Sequence, residues 1–328
     1  MRQKTRRGTR SAMDLKMDFG PIAGVFCLLT EGTIALKHIT RTPPETVVRI
    51  LRNEVGFACP VCGSPFLTWH HFDPPWREKK HHNPTGMVAL CPEHAAQADG
   101  GHWSTEQLRS LKHPLNLASR IAANWPWKPE KAVFMLGNSY YIGERPLLSV
   151  GGRSVFSASR SYPDGFDNPV VTFSIDFRDE SGRSILLLKD NFLLIYTSNL
   201  SDIRCPPQAR IFEVISNSGI RLKLQHKRLP LDAFLEQVPP SSYNIYDTVE
   251  SVSRLIQASS IDSDGLIPLI EIEGDLKSRD VELHLSREQF TLRMKSYNNE
   301  SVNMQGKFYS TPGSLIIKQG QRELIKFG

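Results

Sequence analysis

Apolar residues recur at two periods along the 328-residue chain, helical in the first part and alternating in the second. Over residues 42–56, Val47, Val48, Leu51 and Val55 form one stripe at helical spacing. Thr42 is placed to cap this helix, Pro43 suits its first position, Glu45 completes a capping box with Thr42, and Gly56 supplies a stop. Residues 104–123 also read as helical. A second capping box pairs Ser104 with Gln107, and Leu108, Leu111 and Leu115 carry the stripe past a kink or break at Pro114. Trp125-Pro126-Trp127, with Pro129 after it, reads as a boundary. From Lys131 onward the period is two. Val171, Phe173, Ile175 and Phe177 alternate with Thr172, Ser174 and Asp176; Ile220, Leu222 and Leu224 alternate with Arg221 and Lys223 behind the turn Asn217-Ser218-Gly219.

The same alternation returns at Ile270 and Ile272 around Glu271, at Val281, Leu283 and Leu285, and at Phe290, Leu292 and Met294. Turn signals at Glu180-Ser181-Gly182, Tyr297-Asn298-Asn299 and Pro312-Gly313 separate such runs. This pattern predicts antiparallel sheet with one wet face. The segments starting at Pro146 and Pro268 echo each other faintly, and residues 243–258 suit a short helix between two halves of the β region. The expected fold class is therefore α+β. A basic tail and leader occupies 1–41, a small mixed domain 42–128, and β-rich sequence 129–328, divisible near 230–260.

Composition sharpens this division. Residues 1–128 hold 17 Lys+Arg against 10 Asp+Glu, so the basic excess of the chain resides there and suits contact with nucleic acid phosphates. The longest apolar stretch, Pro21 to Thr30, is closed by Glu31, which is too short for a membrane span. Asp14 and Asp18, between the basic tail and that stretch, argue against a secretion signal, and the expected location is cytoplasmic. Seven of the ten histidines fall between His70 and His113 and all five tryptophans between Trp69 and Trp127, which marks this stretch as chemically specialised. No P-loop, GxGxxG, GxSxG or HExxH pattern occurs to support another enzyme class.

Cys59-Pro-Val-Cys62 and Cys91-Pro-Glu-His94 are two knuckles. A gap of two residues lets both side chains of a knuckle reach one ion, so Cys59, Cys62, Cys91 and His94 are expected to hold a structural Zn²⁺. Cys27 and Cys205 read as ordinary buried thiols. Between the knuckles, Pro65–His71 and Gly86–Leu90 suit strands and Pro92–Asp99 suits a helix with Pro92 in its first turn.

The residues CPVCG at 59–63, the pair His70-His71 followed by Pro74, and GMVALCPEH at 86–94 resemble the HNH endonuclease family in its zinc-bound ββα-metal form. That resemblance covers about 45 residues. It implies DNA phosphodiester hydrolysis in which His71 is the general base and His70 a ligand of a catalytic divalent cation. The sequence departs from the family motif twice. Gly86 stands where the middle asparagine is usual, and Ala95 where a last metal-binding histidine is usual. Asp99, four residues after Ala95 on the same helix face, is the substitute ligand, and an oxygen donor favours Mg²⁺ or Mn²⁺. His81, His82 and Asn83 are further loop contributors, although Asn83-Pro84 also suits a plain turn. The alternative is a catalytically degenerate zinc module that binds nucleic acid or a protein partner. The β region offers no chemistry of its own and is open to a partner or to self-association.

Overall fold

Two consecutive prolines set the start of the first helix. A residue before proline is driven toward extended backbone, so Thr42 and Pro43 stay outside, and α1 spans Glu45–Glu54 with Pro44 as N-cap at ψ 151°. The expected Thr42–Glu45 capping box is absent, since the helix starts later and has no side-chain cap. Its apolar stripe forms as the spacing predicts, with Val48, Leu51 and Val55 buried, and Gly56 at φ 65° ends it. The computed structural model describes residues 39–113, 120–142, 146–150, 153–162, 164–165, 167–179, 181–237, 260–277, 281–295, 301–306, 309–310, 315–319 and 322–327.

Strands β1 (Thr68–His71) and β2 (Met87–Leu90) pair antiparallel, from Thr68 opposite Leu90 to His71 opposite Met87. Helix α2 (Pro92–Asp99) follows directly, with Cys91 as its N-cap and Pro92 in its first turn. All four residues of β2 are buried, and with Leu51, Leu67, Phe72, Ala95, Ala98 and Leu108 they make a small core. Helix α3 (Thr105–Ser110) carries the capping box of Ser104 and Gln107. It does not run to residue 123: β3 (Arg120–Asn124) is a strand, and Pro114 and Leu115 lie outside the described residues. The backbone pairing of β3 with Phe192–Tyr196, with Ile121 turned inward, prevails over its local helical preference.

The chain continues as β4 (Val133–Leu136), β5 (Ser139–Ile142), β6 (Pro146–Val150), β7 (Arg153–Ser161), β8 (Val170–Arg178), β9 (Ser184–Lys189), β10 (Phe192–Tyr196), β11 (Leu200–Arg204), β12 (Ile211–Ser216) and β13 (Arg221–Leu229). After helix α4 (Leu231–Gln237) come β14 (Ile267–Lys277), β15 (Val281–Leu285), β16 (Phe290–Lys295), β17 (Ser301–Gly306), β18 (Tyr309–Ser310), β19 (Leu315–Gln319) and β20 (Arg322–Phe327). One sheet has eight strands in the order β19-β20-β6-β7-β8-β9-β10-β3. A second has ten, running β11-β12-β13-β14-β15-β16-β17, with β4 parallel to β14 and β5 and β18 beyond it. The helix expected over 243–258 and the turns at 297–299 and 312–313 lie outside the described residues.

The alternation predicted for β8 is present from Phe173 onward, where Phe173, Ile175 and Phe177 are buried and Ser174 and Asp176 half-buried; Thr172, expected on the wet face, is buried like Val171. In β14 the expected wet face is lost, because Ile267 to Ile272 are all buried, Glu271 included. Glu271 tolerates this by pairing with Lys227 at 2.7 Å and Arg287 at 2.6 Å. The echoing segments at Pro146 and Pro268 supply the antiparallel strand pairs β6–β7 and β14–β15, in different sheets. Trp125 and Trp127 do not mark a gap in the structure. Trp125 sits between the sheets, with ring centroids 5.9 Å from Phe173 of the first and 5.0 Å from Phe212 of the second. The whole is a strand-rich α+β fold. No helix among the described residues is long and apolar enough to cross a membrane.

Candidate metal centre and adjoining cleft

The first knuckle is a tight turn. Gly63 N–H donates to Cys59 O at 2.7 Å and Cys59 N–H to Ser64 O at 2.8 Å, with Gly63 at φ 74°. The second knuckle is the first turn of α2, where the Cys91 Sγ accepts from the His94 N–H at 3.5 Å. These turns bring the ligand atoms of Cys59, Cys62, Cys91 and His94 within 4.8 Å of one another, a group that can hold one metal ion. Cys62 Sγ lies 3.6 Å from Cys91 Sγ, and His94 Nδ1 lies 3.7 Å from Cys59 Sγ and 3.0 Å from Cys91 Sγ. Burial pushes the Cys62 thiol up to about 12 and raises Cys91 as well, so without a cation these sulfurs stay protonated. Trp103 stacks on the His94 ring at 5.8 Å. Cys205 is buried and free, as its sequence context suggests.

At the far end of α2, Asp99 meets β1. His70 Nδ1 lies 3.3 Å from Asp99 Oδ1, with His70 buried and Asp99 exposed. Burial lowers the affinity of His70 for protons, opposed by Asp99 and aided by Arg41, which keeps the imidazole neutral and able to ligate. Two cavities flank this pair, of about 460 and 480 Å³, and His70, Asp99 and Arg41 line both. His71 opens on the first and Ala95 on the second. Position 95 therefore faces the same space as His70 and Asp99.

His71 is held by backbone. Its Nε2 lies 3.0 Å from the carbonyl of His81. A carbonyl only accepts, so Nε2 carries the proton and the lone pair sits on Nδ1, which is buried and has no hydrogen-bond partner among the described residues. Burial, then the neighbouring His81, lowers the His71 pKa to about 4. The remaining loop candidates serve the loop itself. His81 bridges Pro74 O at 2.9 Å and the Asn83 N–H at 3.1 Å, and Asn83 Oδ1 accepts from the Thr85 N–H at 3.2 Å. His82 stacks on Trp76 at 5.6 Å. Gly86 is fixed by space: its carbonyl accepts from Phe72 and Asp73, and a Cβ there would lie 1.8 Å from Asp73 O.

Several residues that frame the site carry no signal in the sequence. Buried Lys112 donates to the carbonyls of Pro84 and Met87 and pairs with Glu54 at 2.9 Å, which pins the turn next to His71. Arg52, also buried, bonds Asp202 of β11 at 3.0 and 2.7 Å and ties α1 to the ten-stranded sheet. The clustering of tryptophans between Trp69 and Trp127 marks the stretch as specialised without singling out these residues. No protein-family model, curated protein or solved structure matches the chain.

Proposed function

We propose that the hairpin β1–β2 and helix α2 form an HNH-type, zinc-bound ββα-metal endonuclease site that hydrolyses DNA phosphodiesters. The observation that carries this reading is the approach of His70 to Asp99, 3.3 Å apart, in a cleft that His71 also lines. Two cis ligands of an octahedral Mg²⁺ at its usual distances stand about 3.0 Å apart, so the pair fits as two corners of one coordination sphere. Held there, Mg²⁺ or Mn²⁺ would supply Lewis-acid stabilisation of the leaving oxygen. His71 supplies the base: with Nε2–H fixed on the His81 carbonyl, Nδ1 takes the proton of the attacking water. His81 and Asn83 support that geometry from the backbone side and need no direct chemical part.

The four-residue cluster suits zinc by its donor set. Tetrahedral Zn–S bonds of usual length place sulfurs about 3.8 Å apart, close to the 3.6 Å between Cys62 and Cys91. The ion would stand at the start of α2 and fix the helix whose end carries Asp99.

A second reading draws on Ala95. With alanine there the protein offers the cation two ligands, and a zinc module that binds nucleic acid or a protein partner without cleaving is the result if two are too few. A supercoiled-plasmid nicking assay separates the readings. The full chain with Mg²⁺ or Mn²⁺ should nick, His71→Ala should lower the rate by about 10²–10⁴-fold, and Ala95→His should raise it or shift the preferred metal. Absence of nicking in every divalent ion, in all three proteins, leaves the binding module.

A further inference from the structure

His70 and His71 are both buried, exposed by 6% and 4%, while Asp99 at the same centre is exposed; His70 and Asp99 border both cavities and His71 the first. The face of a base can enter a recess beside the strand only once that base has left the stack. Each cavity, about 460 and 480 Å³, falls in the range of small-molecule sites.

Their walls match that occupant. Trp76 and Trp103 line the cavity on the His71 side, and Trp69 lines the other. All three are half-buried: Trp76 lies against the rings of His82 and His71, Trp103 stacks on His94, and Trp69 and Trp103 also pack against the small core. Exposed Arg41 borders both cavities and exposed Arg77 the first, so cations stand where a backbone would pass. Aromatic faces interleaved with guanidinium groups are the usual means of holding a single strand without regard to sequence. The second cavity has one wall from the β region, Pro207, which gives that region a share in choosing the substrate. The loop bearing Pro207 is fixed at both ends: Leu67 N–H donates to Cys205 O at 3.3 Å, and Trp127 Nε1–H to Ala209 O at 2.6 Å.

We infer that the ligand of this cleft is single-stranded DNA, with bases flanking the scissile phosphate seated against Trp76 or Trp103 on one side and Trp69 on the other. The inference rests on the endonuclease reading for the scissile phosphate; the preference for an unpaired strand is tested without cleavage. Fluorescence anisotropy of labelled oligo(dT) and of a duplex of equal length, with the full chain and no added divalent ion, should show the single strand bound at least about tenfold more tightly. Trp69→Ala and Trp76→Ala should each weaken that binding by about fivefold or more. Trp69→Phe keeps a stacking surface and should retain most of it, and an unchanged metal content certifies the fold of each variant. Equal or tighter binding of the duplex, indifference to both alanine variants in folded protein, or binding of neither DNA overturns the inference. Single-strand binding without cleavage in any divalent ion sinks the endonuclease reading alone. Plasmid cleavage without single-strand preference sinks this inference alone.

Discussion

Gly86 illustrates how one position constrains the neighbourhood of the candidate base. Where the HNH pattern has asparagine, the chain runs so close to Asp73 that a side chain is excluded; an added Cβ would fall 1.8 Å from the Asp73 carbonyl oxygen, a backbone atom with little freedom to withdraw. The Gly86 carbonyl also holds Phe72 and Asp73, the two residues after His71. Gly86→Ala should therefore lower stability by about 1–3 kcal/mol through overpacking, read as a lower urea midpoint at unchanged slope. A midpoint within error of wild type would show that the loop yields freely. The glycine itself was legible, but not its reason, since Asp73 O approaches it only through the antiparallel register of β1 and β2. The same limit applies to Lys112: nothing in the local sequence separates a buried staple from a solvated lysine.

At the scale of elements, the strand–strand–helix order between the knuckles was readable because every signal agreed. The CxxC spacing fixes the turn at 59–63, Cys91-Pro92 begins a helix, and the unbroken run Met87–Leu90 can only be a covered strand. Where local and tertiary preferences conflict, the sequence misleads. Arg120–Asn124 has one strand-forming residue, Ile121, yet it forms the edge of the eight-stranded sheet because β10 offers it a partner. The Cys/His cluster joins the knuckle at 59–63 to the start of α2. A zinc ion held there would supply folding energy to both. Cys62→Ser should lower metal affinity by more than the roughly 10–100-fold that loss of an outer-shell partner costs, with Trp103, stacked on His94, reporting the change in its fluorescence. Elemental analysis of the purified chain should find one zinc. Its absence, or a Cys62→Ser protein with undiminished metal content, would remove the cluster from the account.

On the scale of the whole molecule, the site and the β region act as one body through a buried ion pair. Arg52, exposed by only 2%, carries its charge from α1 into Asp202 of β11 by two hydrogen bonds, and a third reaches Glu45. Desolvation of the guanidinium opposes burial, and the two carboxylates outweigh it. Such a pair contributes little relative to an apolar contact of the same shape, but breaking it leaves a charge with no water to solvate it. Asp202→Ala leaves Arg52 with Glu45 alone and should therefore destabilise the chain by about 1–3 kcal/mol, whereas Arg52→Met combined with Asp202→Leu should recover most of that loss. Chemical denaturation of the three proteins measures both. The pair also bears on the cleft, because Pro207 follows β11 in the chain and forms part of the wall beside Ala95 and Asp99. If Arg52 and Asp202 hold that wall in place, the double variant should bind oligo(dT) like wild type, and Asp202→Ala should bind it more weakly under conditions where it remains folded. An Asp202→Ala protein of unaltered stability would mean that the two parts are joined by other contacts, with Phe57, Phe66 and Ala58 packed in the β core the next to test.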